Sequence, residues 1–237
     1  MSMAAQEILD EIKPLGSESY KRVIFKHGVK EPCFGVKIGD IQKIVKRIKK
    51  DYQLALDLYD TGIYDAMYLA GLIADDAKMT KKDLKHWAAK AYCRPLCGWT
   101  VAWVAAGSMH GWDLGIEWID AKRSLTSVAG WATLGSLVAI VQDDKLDLVA
   151  LKKLCQRVQK SIHMEPDEVR YHMNAFLIAV GCYVKPFTDV AIEIGAKIGP
   201  VTADLGDNSC TVPYAPEYIE KVRTRGSIGK KRKSAKC

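Results

Sequence analysis

Residues Gln53–Asp76, QLALDLYDTGIYDAMYLAGLIADD, read as two short helices joined by a tight turn. Leu54, Leu56, Leu58 and Tyr59 give the first helix an apolar side. Thr61-Gly62 stops it, because glycine enters the left-handed region without steric cost. The second helix, over 64–74, carries Ala66, Met67, Leu69, Ala70, Leu72 and Ile73 and leaves almost no polar face. Such a helix is covered on most sides rather than along one stripe. An amphipathic helix followed by an enclosed one cannot hide its own apolar surface and needs copies stacked beside it.

Copies are present. Gly98–Ala106, Ser127–Ala139 and Val169–Gly181 share the texture of the enclosed helix, and each follows a more polar amphipathic segment, Lys82–Ala91, Leu114–Ala121 and Leu148–Lys160. The enclosed helices begin near residues 64, 98, 127 and 167, so the steps are about 34, 29 and 40. A loose period in that range marks a helical solenoid. Alternating apolar runs are few, and the fold class expected is all-α, a HEAT-like array of hairpins. Upstream, 4–13 reads as an opening helix ending before Pro14. Residues 17–26 read as a second, capped by Ser17, with Tyr20, Val23 and Ile24 inward. A third follows Gly39, with Ile38, Ile41, Ile44, Val45 and Ile48 at helical spacing.

The formal charge of +7 is unevenly placed. Lys221, Arg223, Arg225, Lys230, Lys231, Arg232, Lys233 and Lys236 put eight positives after residue 220 with no acid among them, which leaves residues 1–220 near −1. The expected organisation is therefore a repeat domain over 1–220 and a basic, flexible tail over 221–237. Free of the body, the tail is either a solubilising end or an arm adding phosphate contacts. A second basic group, Lys43, Lys46, Arg47, Lys49 and Lys50, closes the helix after Gly39. It reads either as cations at a helix C-terminus or as an edge that touches phosphate.

The seven cysteines are odd in number and scattered, and the N-terminus lacks a secretory apolar core, which points to a reducing cytoplasm. Cys93 and Cys97 are separated by three residues, with no second pair nearby, so they read as buried thiols and no metal or cofactor is expected. Ser124–Gln142 is nineteen residues without a charge, the length of a bilayer span. Its serines, threonines and glycines, and its likeness to the other enclosed helices, assign it to the array and not to a membrane.

Phe34-Gly35-Val36-Lys37, the Lys/Arg-rich helix Asp40–Ile48 and the hairpin Leu54–Ala74 together resemble the AlkD-type DNA alkylation repair family. The resemblance continues through Asp83–Val104, with Cys97-Gly98-Trp99-Thr-Val-Ala-Trp103, and through Val169–Val184. The text from Gly206 to Pro213, Tyr218 to Arg223 and Gly226 to Lys233 is similar to a branch with a basic extension. It implies a curved array holding double-stranded DNA on its concave side, and excision of cationic N3- or N7-alkylated purines. In that chemistry a carboxylate near the sugar stabilises oxocarbenium charge, aromatic faces stabilise cationic charge, and an arginine grips phosphate.

Carried over residue by residue, Trp99 matches the family's tryptophan, but the catalytic aspartate four residues on is Trp103 here. The position nearest the arginine is Trp131, and the second aromatic falls among Asn174, Ala175 and Phe176. Residues 95–112 contain no acid. Asp65, Asp113, Asp204 and Asp207 are the other candidate carboxylates, and each reads as a cap or loop residue; His172 reads as a core histidine. The expectation is a DNA-binding protein of this family whose catalysis is open. Lys37, Lys43, Lys46, Arg47, Arg94 and Arg170 are the backbone-contact candidates, with Trp99, Trp103 and Trp131 as an aromatic concave surface. The alternative is a protein-interaction scaffold gripping a partner helix, which the near-neutral body charge favours.

Overall fold

The hairpin of 53–76 is present, with helices over Tyr52–Asp60 and Tyr64–Ile73 and Gly62 between them at φ +73°. The second helix is enclosed along its whole length, from Tyr64 to Ile73. The computed structural model describes residues 2–206 and 211–236; Asp207, Cys210 and Cys237 lie outside them.

In chain order the helices are α1 (Met3–Ile12), α2 (Glu18–Lys26), α3 (Ile38–Ile48), α4 (Tyr52–Asp60), α5 (Tyr64–Ile73) and α6 (Lys81–Lys90). A π turn over Leu96–Val101 then leads into α7 (Ala102–Gly107). They are followed by α8 (Gly111–Ile119), α9 (Ser124–Ile140), α10 (Leu148–Ser161), α11 (Asp167–Tyr183), α12 (Thr188–Ile198) and α13 (Ala215–Thr224). Among the described residues there is no strand beyond a single bridge between Gly16 and Val36. The helices pair as hairpins, and α5, the π turn with α7, α9 and α11 pack side by side as an inner row. The more polar α4, α6, α8 and α10 form the outer row. Each outer helix starts on a side-chain cap where the sequence offers one: Asp51 before α4, the Thr80–Asp83 capping box before α6, and Asp147 before α10.

The ends of outer helices are held by the next repeat. The Arg123 guanidinium donates to the carbonyls of Ala88, Ala89 and Ala91 at the end of α6. Arg157 donates to Ile119 O at the end of α8 and pairs with Asp120. These carbonyls have no partner within their own helix, so a cation placed there serves as both donor and opposing charge. The uncharged stretch 124–142 becomes α9, packed between α8 and α11. Among the described residues no single helix is long and apolar enough to cross a membrane. Cys93 and Cys97 are buried, and burial pushes their thiols up to about 11 and about 12.

Three expectations need correction. Val23, expected inward, is half exposed on an apolar cleft against α3 and α5, whereas Ile24 packs against the core. Ile38, expected at helical spacing with Ile41 and Ile44, is half exposed on that cleft while those two are buried. The third concerns the tail. The expected division at residue 220 falls inside α13, which packs on α11 and α12 and buries Ile219. Residues 225–236 then run back as a strap over the C-terminal ends of the inner helices. Gly229 N donates to Cys182 O on α11, and Arg232 N to Ala139 O on α9. Lys231 Nζ reaches Val138 O at 2.8 Å and Asp143 at 2.8 Å. Lys236 Nζ reaches Ala74 O at 2.7 Å, just past α5, and Asp76 at 2.7 Å. A segment without apolar periodicity stays in place because lysines satisfy helix-end carbonyls that would otherwise have only water.

Candidate nucleic-acid interface

The inner row carries an open trough. It runs from Ile38 and Tyr68, past Trp99 and Trp103, across Gly135 and Ala139 of α9, to Ala175 and Tyr183 of α11, with Arg232 of the strap at its far end. A second recess continues it, sharing Ala175, Ala179, Tyr183 and Arg232 and adding Arg225 and Lys230. The two form one track, aromatic at one end and basic at the other.

The aromatic end is a ladder of rings. Tyr64 stacks towards Tyr68 at 6.3 Å, Tyr68 meets Trp103 edge-on at 5.9 Å, and Trp103 stacks with Trp99 at 6.4 Å and 9°. Trp103 is 5% exposed, whereas Trp99 is 41% exposed and presents a face to the trough. Trp99 sits in the π turn, an irregularity that recurs at functional sites. Beneath it His172 is buried; its Nδ1 donates to Glu168 O at 2.7 Å, which leaves Nε2 as the acceptor nitrogen. Burial drives the imidazole down to about 4, with a smaller contribution in the same direction from Arg94, so it is neutral at pH 7.

Trp131 belongs to the floor. It is 1% exposed, tilted against Phe176 at 5.3 Å, with Arg157 over its ring at 5.6 Å. Expected as part of an aromatic surface, it is a core residue. Phe176, the stand-in for a second aromatic, is equally buried.

The basic candidates divide. Lys37 and Lys46 are exposed; Lys43 pairs with Asp40 and Arg47 with Glu11, both at the surface of α3. Arg94 is turned inward, donating to His27 O and Leu205 O and lying over the Tyr171 ring. Arg170 donates to Thr202 O and Glu165 O and pairs with Asp167. Both guanidinium groups tie loops to the inner row instead of extending toward a phosphate. Of the strap cations, expected as a solubilising end or an arm adding phosphate contacts, Arg225, Lys230 and Arg232 line the track. Composition marks them as basic, but nothing local says where they lie.

Among the described residues no Asp or Glu lines the trough. Asp65 is buried and accepts from Phe34 N at 2.6 Å and Val36 N at 2.7 Å, pinning the Phe34–Val36 loop to α5. Asp113 pairs with Lys81 across the outer row, and Asp204 accepts from Gly206 N.

Comparison with known proteins agrees with this architecture. A solved structure described as "a new family of proteins related to the HEAT-like repeat DNA glycosylases with affinity for branched DNA structures" superposes with a TM-score of 0.89 at 33% identity, covering 98% of this chain and 99% of that one. An uncharacterized protein of Listeria innocua, Lin0241, is 30% identical over 221 residues, 91% of this chain and 95% of its own length. One from Listeria monocytogenes, Lmo0209, is 29% identical over the same shares. The family described as "DNA alkylation repair enzyme" matches residues 6–219. The chain therefore belongs to the DNA alkylation repair family, with a HEAT-like helical-repeat fold.

Proposed function

We propose that the protein binds DNA along the trough and recognises branched or distorted duplexes without excising bases. The observation that carries this reading is an exposed indole, Trp99, in a trough that no Asp or Glu among the described residues lines. Excision of an alkylated purine by the family's route needs a negative group beside the sugar, where oxocarbenium charge develops. By the family resemblance that position falls on Trp103, a buried ring that carries no negative charge. An aromatic face stacks on an exposed base face, and the pairs that flank a branch point expose one when they do not stack on a neighbouring arm. The affinity of the structural neighbour for branched DNA supports this reading.

A near-neutral body argued for a protein partner, but it does not describe the track, because Arg225, Lys230 and Arg232 lie along it. The test is fluorescence anisotropy with a labelled four-way junction and a linear duplex of equal length, over a salt series. It is run beside an assay for release of 7-methylguanine from methylated duplex. The expected result is salt-dependent binding, tighter for the junction, with no base released. Absence of salt-dependent binding at low ionic strength overturns the DNA reading. Released 7-methylguanine overturns the non-catalytic part.

A further inference from the structure

The strap contains six cations between Arg225 and Lys236, and they fall into two groups. Lys231 and Lys236 point into the body, with side chains only 7% and 13% exposed, onto Asp143 and Asp76. Arg225, Lys230 and Lys233 stay exposed, and Arg232 lies where the trough and the basic recess meet.

The two inward lysines are seated, not merely adjacent. Each Nζ bridges a helix-end carbonyl and a carboxylate, Val138 O with Asp143 and Ala74 O with Asp76. The second seat is built by a third element: a Cβ on Gly107 would collide with the Asp76 carboxylate, so the end of α7 is left bare to admit it. Burial works against the charged form of both Asp76 and Lys236, raising the one and lowering the other. Such a pair adds little net stability, and what it supplies is position. Seats at the ends of α9 and α5 fix the strap where Arg225, Lys230 and Arg232 border the track, with Lys233 exposed next to Arg232 in the chain.

We propose that the strap is an anchored phosphate-binding edge: Lys231 and Lys236 hold it against the inner row so that Arg225, Lys230 and Lys233, with Arg232, grip the DNA backbone beside the trough. This rests on the reading that the protein binds DNA. It differs from a free basic arm in one respect that can be measured. For a free arm, Asp76→Asn or Asp143→Asn removes a negative charge and leaves DNA binding unchanged or tighter. For an anchored edge, the same changes release a seat, let the strap move and weaken binding despite the added net positive charge.

The experiment is an anisotropy titration of a labelled four-way junction over a salt series, on the full chain. The variants are Asp76→Asn, Asp143→Asn and the triple Arg225→Gln/Lys230→Gln/Lys233→Gln. The triple variant is expected to bind more weakly and to lower the slope of log affinity against log salt by roughly 2 to 3, about one for each phosphate that is no longer neutralised. Each Asp→Asn variant is expected to bind more weakly than wild type. A triple variant with the wild-type slope, or Asp→Asn variants that bind as wild type or tighter, overturns the anchored edge and leaves DNA binding standing. No binding by the wild type removes both. The triple changes only exposed side chains, so it reports even where an Asp→Asn variant fails to fold, which thermal melting detects.

Discussion

Two successive inner helices carry the same word, Gly-Trp: Gly98-Trp99 at the entrance to α7 and Gly130-Trp131 in α9. One indole is 41% exposed and stacked on a neighbour, the other 1% exposed under Phe176 and Arg157. The difference lies in the backbone around each. Trp131 sits in regular α-helix, clamped between α8 and α11, so every direction its side chain can take is occupied. Trp99 sits in a π turn, where the wider winding breaks the register of the row and turns the ring toward the trough. A repeated word thus builds a floor at one position and an exposed ring at the next.

Truncating the buried ring has the largest expected effect. Trp131→Ala removes a fully enclosed indole that Phe176 and Arg157 cannot collapse to fill, and the expected loss is about 4 kcal/mol. Urea unfolding measures it. A loss below about 1 kcal/mol would mean that α9 has slack, and the two tryptophans would then differ only in degree.

A smaller effect comes from His172, which closes the aromatic end from beneath. Its ordinary value is 6.5 and burial lowers it to about 4. The unfolded chain therefore binds a proton more readily than the folded one. The stability this contributes is complete above about pH 6.5 and is lost as the pH falls toward 4, about 3 kcal/mol in all and about 2 kcal/mol of it between pH 7 and pH 5. His172→Gln should flatten that stretch of the stability–pH curve while the steeper acid limb below it persists. An unchanged slope between pH 5 and 6.5 would show that the imidazole reaches water in the folded state.

What could be read in advance follows from how far each interaction reaches along the chain. The hairpins of the inner and outer rows, from α4 to α11, were legible because an enclosed helix after an amphipathic one is a local pattern with a period. The cations on the outer helix ends repeat with that period: Arg123 reaches 32 to 35 residues back and Arg157 reaches 37 or 38. The strap was not legible. Lys231 reaches back 93 residues and Lys236 162, and no local pattern ties a basic, aperiodic end to carbonyls that distant. The same limit explains Arg94, whose charge suggested phosphate but which carbonyls 67 and 111 residues away hold, and in part Arg170, held by Thr202 O 32 residues away as well as by nearby Glu165 O and Asp167. The absent acid was visible at once, since residues 95–112 offer none. The exposure of Trp99 was not, because nothing in Leu96–Val101 announces a π turn.

The smallest effect on stability should accompany the largest on binding. Trp99→Ala removes a ring that already faces water on one side and leaves Trp103 in place on Tyr68, so less than about 1 kcal/mol of folding stability should disappear. If that ring stacks on a base at a branch point, its removal should cost about 1 to 3 kcal/mol of junction affinity, roughly 5- to 150-fold, with the salt slope unchanged because no phosphate is involved. Trp99→Phe keeps a face of reduced area and should fall between. Urea unfolding and junction anisotropy on the same preparations separate the outcomes. A stability loss matching that of Trp131→Ala would make Trp99 a second floor residue. Unchanged junction affinity would leave the exposed indole without a nucleic-acid role and return the aromatic end of the trough to a structural function. Weaker affinity with a lowered salt slope would mean that the ring positions the strap or α3 and does not touch a base.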